Sequence, residues 1–298
     1  MEDQMNLKSI LILTALALAT NALACIDQKN GLGFLPQNNF KIPVGMKRTG
    51  GLSEEQFNKV IDKIEELYSP IVSNLGGKLV IERKWDDATV NAYAQRQGKN
   101  WNVSMFGGLA RHSTITEDGF ALVLCHEIGH HMAGAPKKGG GTIWGGGAWA
   151  SNEGQSDYFA TTKCLRKAFL NDNNTDIIAT LNAPKELFDG CEKTFKKKEE
   201  IEICVRGGMS GMSVANLFAA LRNGPAPKFD TPDPAVVGKT DHAHPATQCR
   251  LDTYYQGAIC DVADTIAFDD KDETIGACHK ANGDSIGLRP LCWFKPAN

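Results

Sequence analysis

With 298 residues, 42% of them hydrophobic and 22% charged, the chain has globular composition and enough length for a sizeable core in one large domain or two small ones. Its formal net charge of −3, with no sustained basic stretch, excludes the charge signature of a nucleic-acid or anionic-membrane partner.

Residues 1–24 read as an export signal. Lys8 precedes an apolar run from Ile10 to Ala19, and Ala22-Leu23-Ala24 supplies an A-x-A cleavage site. Glu2 and Asp3 do not suit the start of such a segment, which makes Met5 the cleaner first residue. The run is too short for a spanning helix, so the expected destination is the periplasm or the exterior. Cys25, directly after the cut, opens the alternative of a lipid anchor, although Leu23 is one place away from where such signals favour it. Nine cysteines in an exported chain point to disulfides, with one left over. Cys125, on a helix expected to be buried, is assigned as the reduced one, leaving Cys25, Cys164, Cys191, Cys204, Cys249, Cys260, Cys278 and Cys292 to pair.

Ser53-Glu54-Glu55-Gln56 is a capping box, and Phe57, Val60, Ile61, Ile64 and Leu67 repeat at helical spacing, which predicts an amphipathic helix ending near Ser69-Pro70. Lys78 to Trp85 reads as a strand, and residues 89–97 and 101–109 read as a hairpin turning at Gly98-Lys99-Asn100. A helix, antiparallel strands and then a second helix make an α+β order. The strand edge ahead of that second helix either holds an extended peptide or only packs the core.

The second helix carries the strongest chemical signal. Thr116 is its N-cap, Gly134-Ala135-Pro136 ends it, and His126, Glu127 and His130 form H-E-x-x-H within it. Residues four apart share a helix face, so both imidazoles can grip one ion while Glu127 sits beside it. Zinc suits such a donor set, keeps an open position and lowers the pKa of bound water to roughly 7. A third ligand is available in Glu153, at a capped helix start, with Asp157 four residues on to orient a ligand histidine. His131 points about 100° away from His130 and is expected to pack or to support a ligand. The glycine-rich stretch 137–150 holds Trp144 and Trp149, which either cap a cleft or anchor the loop.

Helical signals continue over 158–170, 184–198, 213–221 and 247–259, and residues 223–236 form a proline-rich connection. The tail from 269 to 298 is short and polar, with Cys278 and Cys292 as its expected staples.

H-E-I-G-H at 126–130, E-x-x-x-D at 153–157, Asn91-Ala92-Tyr93-Ala94, Gly107-Gly108, and His244-Pro245 followed by Arg250 together resemble the family of CAAX prenyl-protein proteases and HtpX, in particular its soluble periplasmic members. The resemblance spans about residues 85 to 255. It implies a zincin-like fold, with a small antiparallel sheet beside the motif helix and a mostly helical second half. It also implies one zinc on His126, His130 and Glu153, with Glu127 as general base. By the same resemblance His244 stabilises the oxyanion and Arg250 supports the site, while Asn91, Tyr93, Gly107 and Gly108 line the path of a polypeptide substrate. The expected organisation is a signal at 1–24 and one domain at 25–298, with a core over about 53–260. Two competing functions remain at this stage: a zinc-containing binding or chaperone-like protein without hydrolysis, and an amidase acting on cell-wall peptides.

Overall fold

The computed structural model describes residues 26–27, 31–46, 50–138 and 148–297. The export signal, the start at Met5, Cys25 and Trp144 lie outside the described residues. In chain order the elements are β1 (Ile26–Asp27), β2 (Gly31–Gly33), α1 (Glu54–Asn74), β3 (Lys78–Lys84), β4 (Ala92–Gln97), β5 (Asn100–Phe106), α2 (Gly107–Ala110) and α3 (Glu117–Met132). They continue with α4 (Glu153–Phe159), a π-helical stretch (Ala160–Cys164), α5 (Leu165–Phe169), α6 (Asn174–Ala179), α7 (Lys185–Thr194), α8 (Lys198–Arg222) and α9 (Thr247–Ile259). The architecture is α+β, with the sheet in the first half and helices dominating the second.

The sheet runs β1-β2-β4-β5-β3. It is mixed, which corrects the expected antiparallel sheet: β4 and β5 form the antiparallel hairpin, but β3 pairs with β5 in parallel, from Lys78 against Asn100 to Lys84 against Phe106. Burial explains the order. Trp101, Val103, Met105 and Phe106 make β5 an interior strand that needs neighbours on both sides, and β3 takes the side that β4 leaves. The hairpin starts at Ala92, later than predicted, because Thr89 is used in an isolated bridge to Lys41.

Helix α1 keeps the predicted capping box, with Ser53 accepting from Gln56 and the Gln56 side chain accepting from the Ser53 amide. It continues through Pro70 to Asn74, past the predicted end. An interior proline costs about 3 kcal/mol. Tyr68 and Val72, both buried, offset that at about 1.5–3 kcal/mol for a fully buried large side chain. Helix α8 begins at Lys198, whereas the sequence pattern suggests 213. Gly207, Gly208 and Gly211 hide the helix from a propensity reading, yet two of them are where partners come closest: a Cβ at Gly208 would meet the Leu187 side chain, and one at Gly211 would lie 2.6 Å from Tyr254 Cβ. Helix α9 matches its predicted span.

Four disulfides join Cys125 to Cys164, Cys191 to Cys204, Cys249 to Cys292 and Cys260 to Cys278. Cys125 is therefore bonded, not reduced. Its partner sits in the π-helical stretch, which packs on α3 and brings the two Cα atoms to 5.7 Å, within bonding range. Cys278 and Cys292 tie the tail to α9, as their positions suggest. No helix among the described residues is long and apolar enough to cross a membrane.

Helix α3 positions the site. It packs against α1, α4, α8, β4 and β5, so every residue from Gly119 to His131 is buried. A helix enclosed on all sides is apolar all round, and polar residues within it need a reason to be there.

Candidate metal centre

The polar exceptions in the buried stretch of α3 are His131 and the three motif residues. Thr116 caps the helix by accepting from the Gly119 amide. His126, Glu127 and His130 then follow in the second half of the helix, all with 0% exposure. Helix α4 lies across α3 at close range. A Cβ at Gly129, the glycine of the motif, would lie 3.1 Å from both Ser156 Cα and a Phe159 ring carbon, so glycine is what lets the two helices approach. Asn152 caps α4 by accepting from the Gln155 amide at 2.8 Å, which starts the helix at Glu153. Ser151 binds the end of α3 twice: its amide donates to the His130 carbonyl, and its carbonyl accepts from His130 Nδ1 at 2.9 Å.

Each histidine is oriented through Nδ1. His126 Nδ1 lies 2.7 Å from Asp157 Oδ1, and His130 Nδ1 faces the Ser151 carbonyl. A carbonyl can only accept, so Nδ1 of His130 carries the proton and Nε2 keeps its lone pair. Both Nε2 atoms then point toward one carboxylate oxygen: Glu153 Oε2 is 3.2 Å from His126 Nε2 and 3.7 Å from His130 Nε2. The ligand atoms of His126, His130 and Glu153 lie within 4.8 Å of one another.

These atoms are close without satisfying one another. His126 Nε2, His130 Nε2, Glu153 Oε2 and both Glu127 oxygens are buried without an aligned hydrogen bond, although the distances fall in ion-pair range. Buried polar atoms left this way normally cost about 1–3 kcal/mol each. A cation between two nitrogens and one oxygen resolves the cluster at once, and the donor set fits a divalent transition metal. The other grouping of ligand types among the described residues, Asp233 with Cys249 and Cys292, holds a disulfide and offers no thiolate.

The electrostatics belong to the protein alone. Burial disfavours charge on His126, but Asp157 and then Glu153 outweigh it and raise the imidazole to about 9. Burial drives His130 well below its ordinary value. Burial also lifts Glu127 to about 8. Glu153 goes the other way: burial is overcome by His244, Lys138 and His130, which hold it well below the usual carboxylate range. A dication held by His126, His130 and Glu153 would displace the imidazole proton and favour the Glu127 carboxylate.

Asp157 is anchored as well as anchoring. Arg250 grips it through Nε and Nη2 at 2.8 and 2.6 Å, and the Tyr254 hydroxyl donates to Oδ1 at 2.9 Å. Arg250 thus holds the carboxylate that in turn holds His126. His244 arrives from the coil before α9 and brings Nε2 to 3.4 Å from Glu153 Oε2, while donating to the Gly33 carbonyl at 2.8 Å. Asn91 exchanges two hydrogen bonds with the Leu35 backbone and donates to the Tyr93 hydroxyl. Gly107 and Gly108 meet the Trp85 and Ala88 carbonyls, so their small size serves the turn into α2.

Several contributors carry no sequence signal. Lys138 Nζ is 2.7 Å from Glu153 Oε1, a lysine from the glycine-rich stretch reaching a ligand candidate. Tyr254 and Ser151 have no motif around them, and their roles come only from the meeting of α3, α4 and α9. His131 is stacked between Trp101 and Trp149 at ring distances of 5.4 and 4.9 Å, with the Arg96 guanidinium over both indoles, so it packs and does not ligate. Trp149 accordingly anchors its end of the loop. Gly154 lies under the Trp293 indole, which seats the disulfide-tied tail directly on the start of α4. Comparison of the chain with family models, curated proteins and solved structures finds no match in any of the three.

Proposed function

We propose that the chain is an exported zinc-dependent endopeptidase with a zincin-like site, acting on exported or misfolded polypeptides and related to the CAAX protease and HtpX family by its motif order. The observation that carries this reading is the convergence of His126 Nε2, His130 Nε2 and Glu153 Oε2, buried without an aligned hydrogen bond, beside the Glu127 carboxylate, whose oxygens are buried in the same way. One zinc bound there supplies a Lewis acid for the scissile carbonyl and lowers the pKa of water to roughly 7. Glu127 takes the proton of the attacking water and passes it to the leaving amine. His244 donates through Nε2 to the oxygen that gains negative charge, and the Asp157–Arg250 pair keeps His126 in one orientation. The four disulfides fit an oxidising compartment and support export.

A second reading, a zinc-containing binding protein without hydrolysis, draws on the complete burial of His126, Glu127, His130 and Glu153. One experiment separates the two. The chain from residue 25 is incubated with an unfolded protein while bound zinc is quantified, with Glu127→Gln and Glu153→Ala alongside. The endopeptidase reading expects one zinc in the unsubstituted chain and in Glu127→Gln, chelator-sensitive cleavage only in the former, and zinc loss in Glu153→Ala. Zinc in both forms with no cleavage supports the binding protein, and folded protein that takes no zinc defeats both.

A further inference from the structure

The complete burial of the cluster has an identifiable cause: β2 and the two residues that follow it lie across the site. Strand β2 pairs antiparallel with β4, Leu32 opposite Ala94 and Gly33 opposite Tyr93, and the Phe34 amide extends the pairing by donating to the Ala92 carbonyl at 2.9 Å. The Gly33 carbonyl is held at 2.8 Å by His244 Nε2, an atom 3.4 Å from the ligand oxygen of Glu153. The Phe34 ring, fully buried, stands edge-on to His126 at 4.9 Å and packs on Phe218 at 5.4 Å. Arg250 Nη1 donates to the Phe34 carbonyl at 3.0 Å. Asn91 accepts from the Leu35 amide at 2.9 Å and donates to the Leu35 carbonyl at 3.1 Å.

Taken residue by residue, these are the contacts that an extended polypeptide needs at such a centre. Main-chain pairing to a strand gives affinity, a pocket for one side chain gives selectivity, and a donor beside the metal site holds one chosen carbonyl. The close approach is specific to glycine at the first position, since a Cβ on Gly33 would lie 2.9 Å from the Tyr93 ring and 3.0 Å from the Leu35 carbonyl.

We infer that Gly33–Leu35 occupies the substrate track as an internal pseudosubstrate, and that the polypeptides this centre accepts carry a large apolar residue directly after the bond to be cut. The inference rests on the endopeptidase reading for the words substrate and cut. The track itself is defined by β4, Asn91, Arg250, His244 and the apolar seat of His126 and Phe218. Release of β2 from β4 opens the centre, and its return closes it.

The test scores binding and needs no turnover. Zinc-loaded full-length chain carrying Glu127→Gln is titrated into an end-blocked, fluorescently labelled peptide with the sequence of residues 31–36, and anisotropy is read. Adding Leu32→Pro removes an amide from the β2–β4 ladder, and the expected result is at least ten-fold tighter peptide binding. Adding Leu32→Cys with Ala94→Cys, oxidised, locks the two opposed positions together and abolishes binding relative to Leu32→Cys alone. The same peptide with its phenylalanine replaced by glutamate binds at least ten-fold more weakly to the released form. Equal affinity for locked, unlocked and loosened chains puts the strand outside the track and overturns the inference, as does equal binding of the two peptides. If the proline variant loses its cooperative melting, the locked and single-cysteine pair decides alone. Peptide affinity that rises on release, in a chain whose Glu127 form cuts nothing, refutes the endopeptidase and keeps the internal strand. Cleavage that proceeds equally well with the strand locked refutes only the strand.

Discussion

Lys138 Nζ lies 2.7 Å from Glu153 Oε1, so one oxygen of the third ligand candidate is held by an ammonium while the other faces three imidazoles, those of His126, His130 and His244. Two effects oppose each other here. The lysine fixes the carboxylate's rotation, and its charge repels an incoming cation. Lys138→Gln keeps a donor and removes the charge, and its zinc affinity is expected to stay within a few-fold of the unsubstituted chain. Lys138→Ala removes both, and affinity is expected to drop about ten-fold, in line with the loss of an orienting partner. Competition with a chromophoric chelator reads both values, and an unchanged affinity in Lys138→Ala would show that Glu153 needs no such hold.

Asp157 serves four donors from His126, Arg250 and Tyr254. Asp157→Asn leaves the Arg250 guanidinium buried without its counter-charge, which costs about 3–5 kcal/mol for a broken buried pair. Denaturant unfolding of the zinc-free protein should show that loss, and zinc affinity should fall about 10–100-fold as His126 loses its orientation. Stability within 1 kcal/mol of the unsubstituted chain, on the order of an ordinary surface change, would refute the clamp.

Gly211→Ala puts two effects of known sign in competition. Alanine is the better helix former by about 1 kcal/mol. Its Cβ would lie 2.6 Å from Tyr254 Cβ, however, and Tyr254 cannot swing away without releasing Asp157. Overpacking at about 1–3 kcal/mol wins, so the variant is expected to unfold at lower temperature, and a rise in Tm would mean that α8 and α9 have room to part.

Lys163 gives the pH dependence. Its ammonium donates to the Ala263 carbonyl at 2.8 Å and sits 5.2 Å from the Phe268 ring centre. Burial first, then Arg166 and Lys167, push it from 10.5 down to about 7, against the pull of Asp264. Between those values the unfolded chain holds a proton that the folded chain lacks, so this lysine makes folding stability rise with pH through that window. Lys163→Met should flatten the rise between pH 7 and 9 in denaturant titrations, and an unchanged slope would assign the rise to other groups.

The parts legible in the sequence were the local ones. The capping box of α1, the turn at Gly98-Lys99, the Thr116 cap and the spacing of His126, Glu127 and His130 each lie within a few residues, where helix and hairpin geometry settle position. Glu153 and Asp157 are reached at longer range through what a metal site would require, a third ligand and an orienting acid, and the structure brings both beside His126. What escaped depends on pairing between distant segments: β3 alongside β5 in parallel, Cys125 opposite Cys164, Lys138 beside Glu153, and Tyr254 on Asp157. Propensity also misled at Gly208 and Gly211, because residues that weaken an isolated helix are the ones that let packed helices come close.

The bond between Cys125 and Cys164 begins one residue before His126. It closes a loop across 39 residues that contains all of the ligand candidates, and a loop of that size is worth on the order of 3–4 kcal/mol in chain entropy. The reduced chain must search a much wider set of arrangements before His126, His130 and Glu153 meet, whereas the oxidised chain begins with the frame already tied. Oxidation and the capture of a metal at these residues would therefore reinforce each other, each making the other's product easier to reach. A chain held in a reducing compartment would be a poorer scavenger of metal than the same chain in an oxidising one.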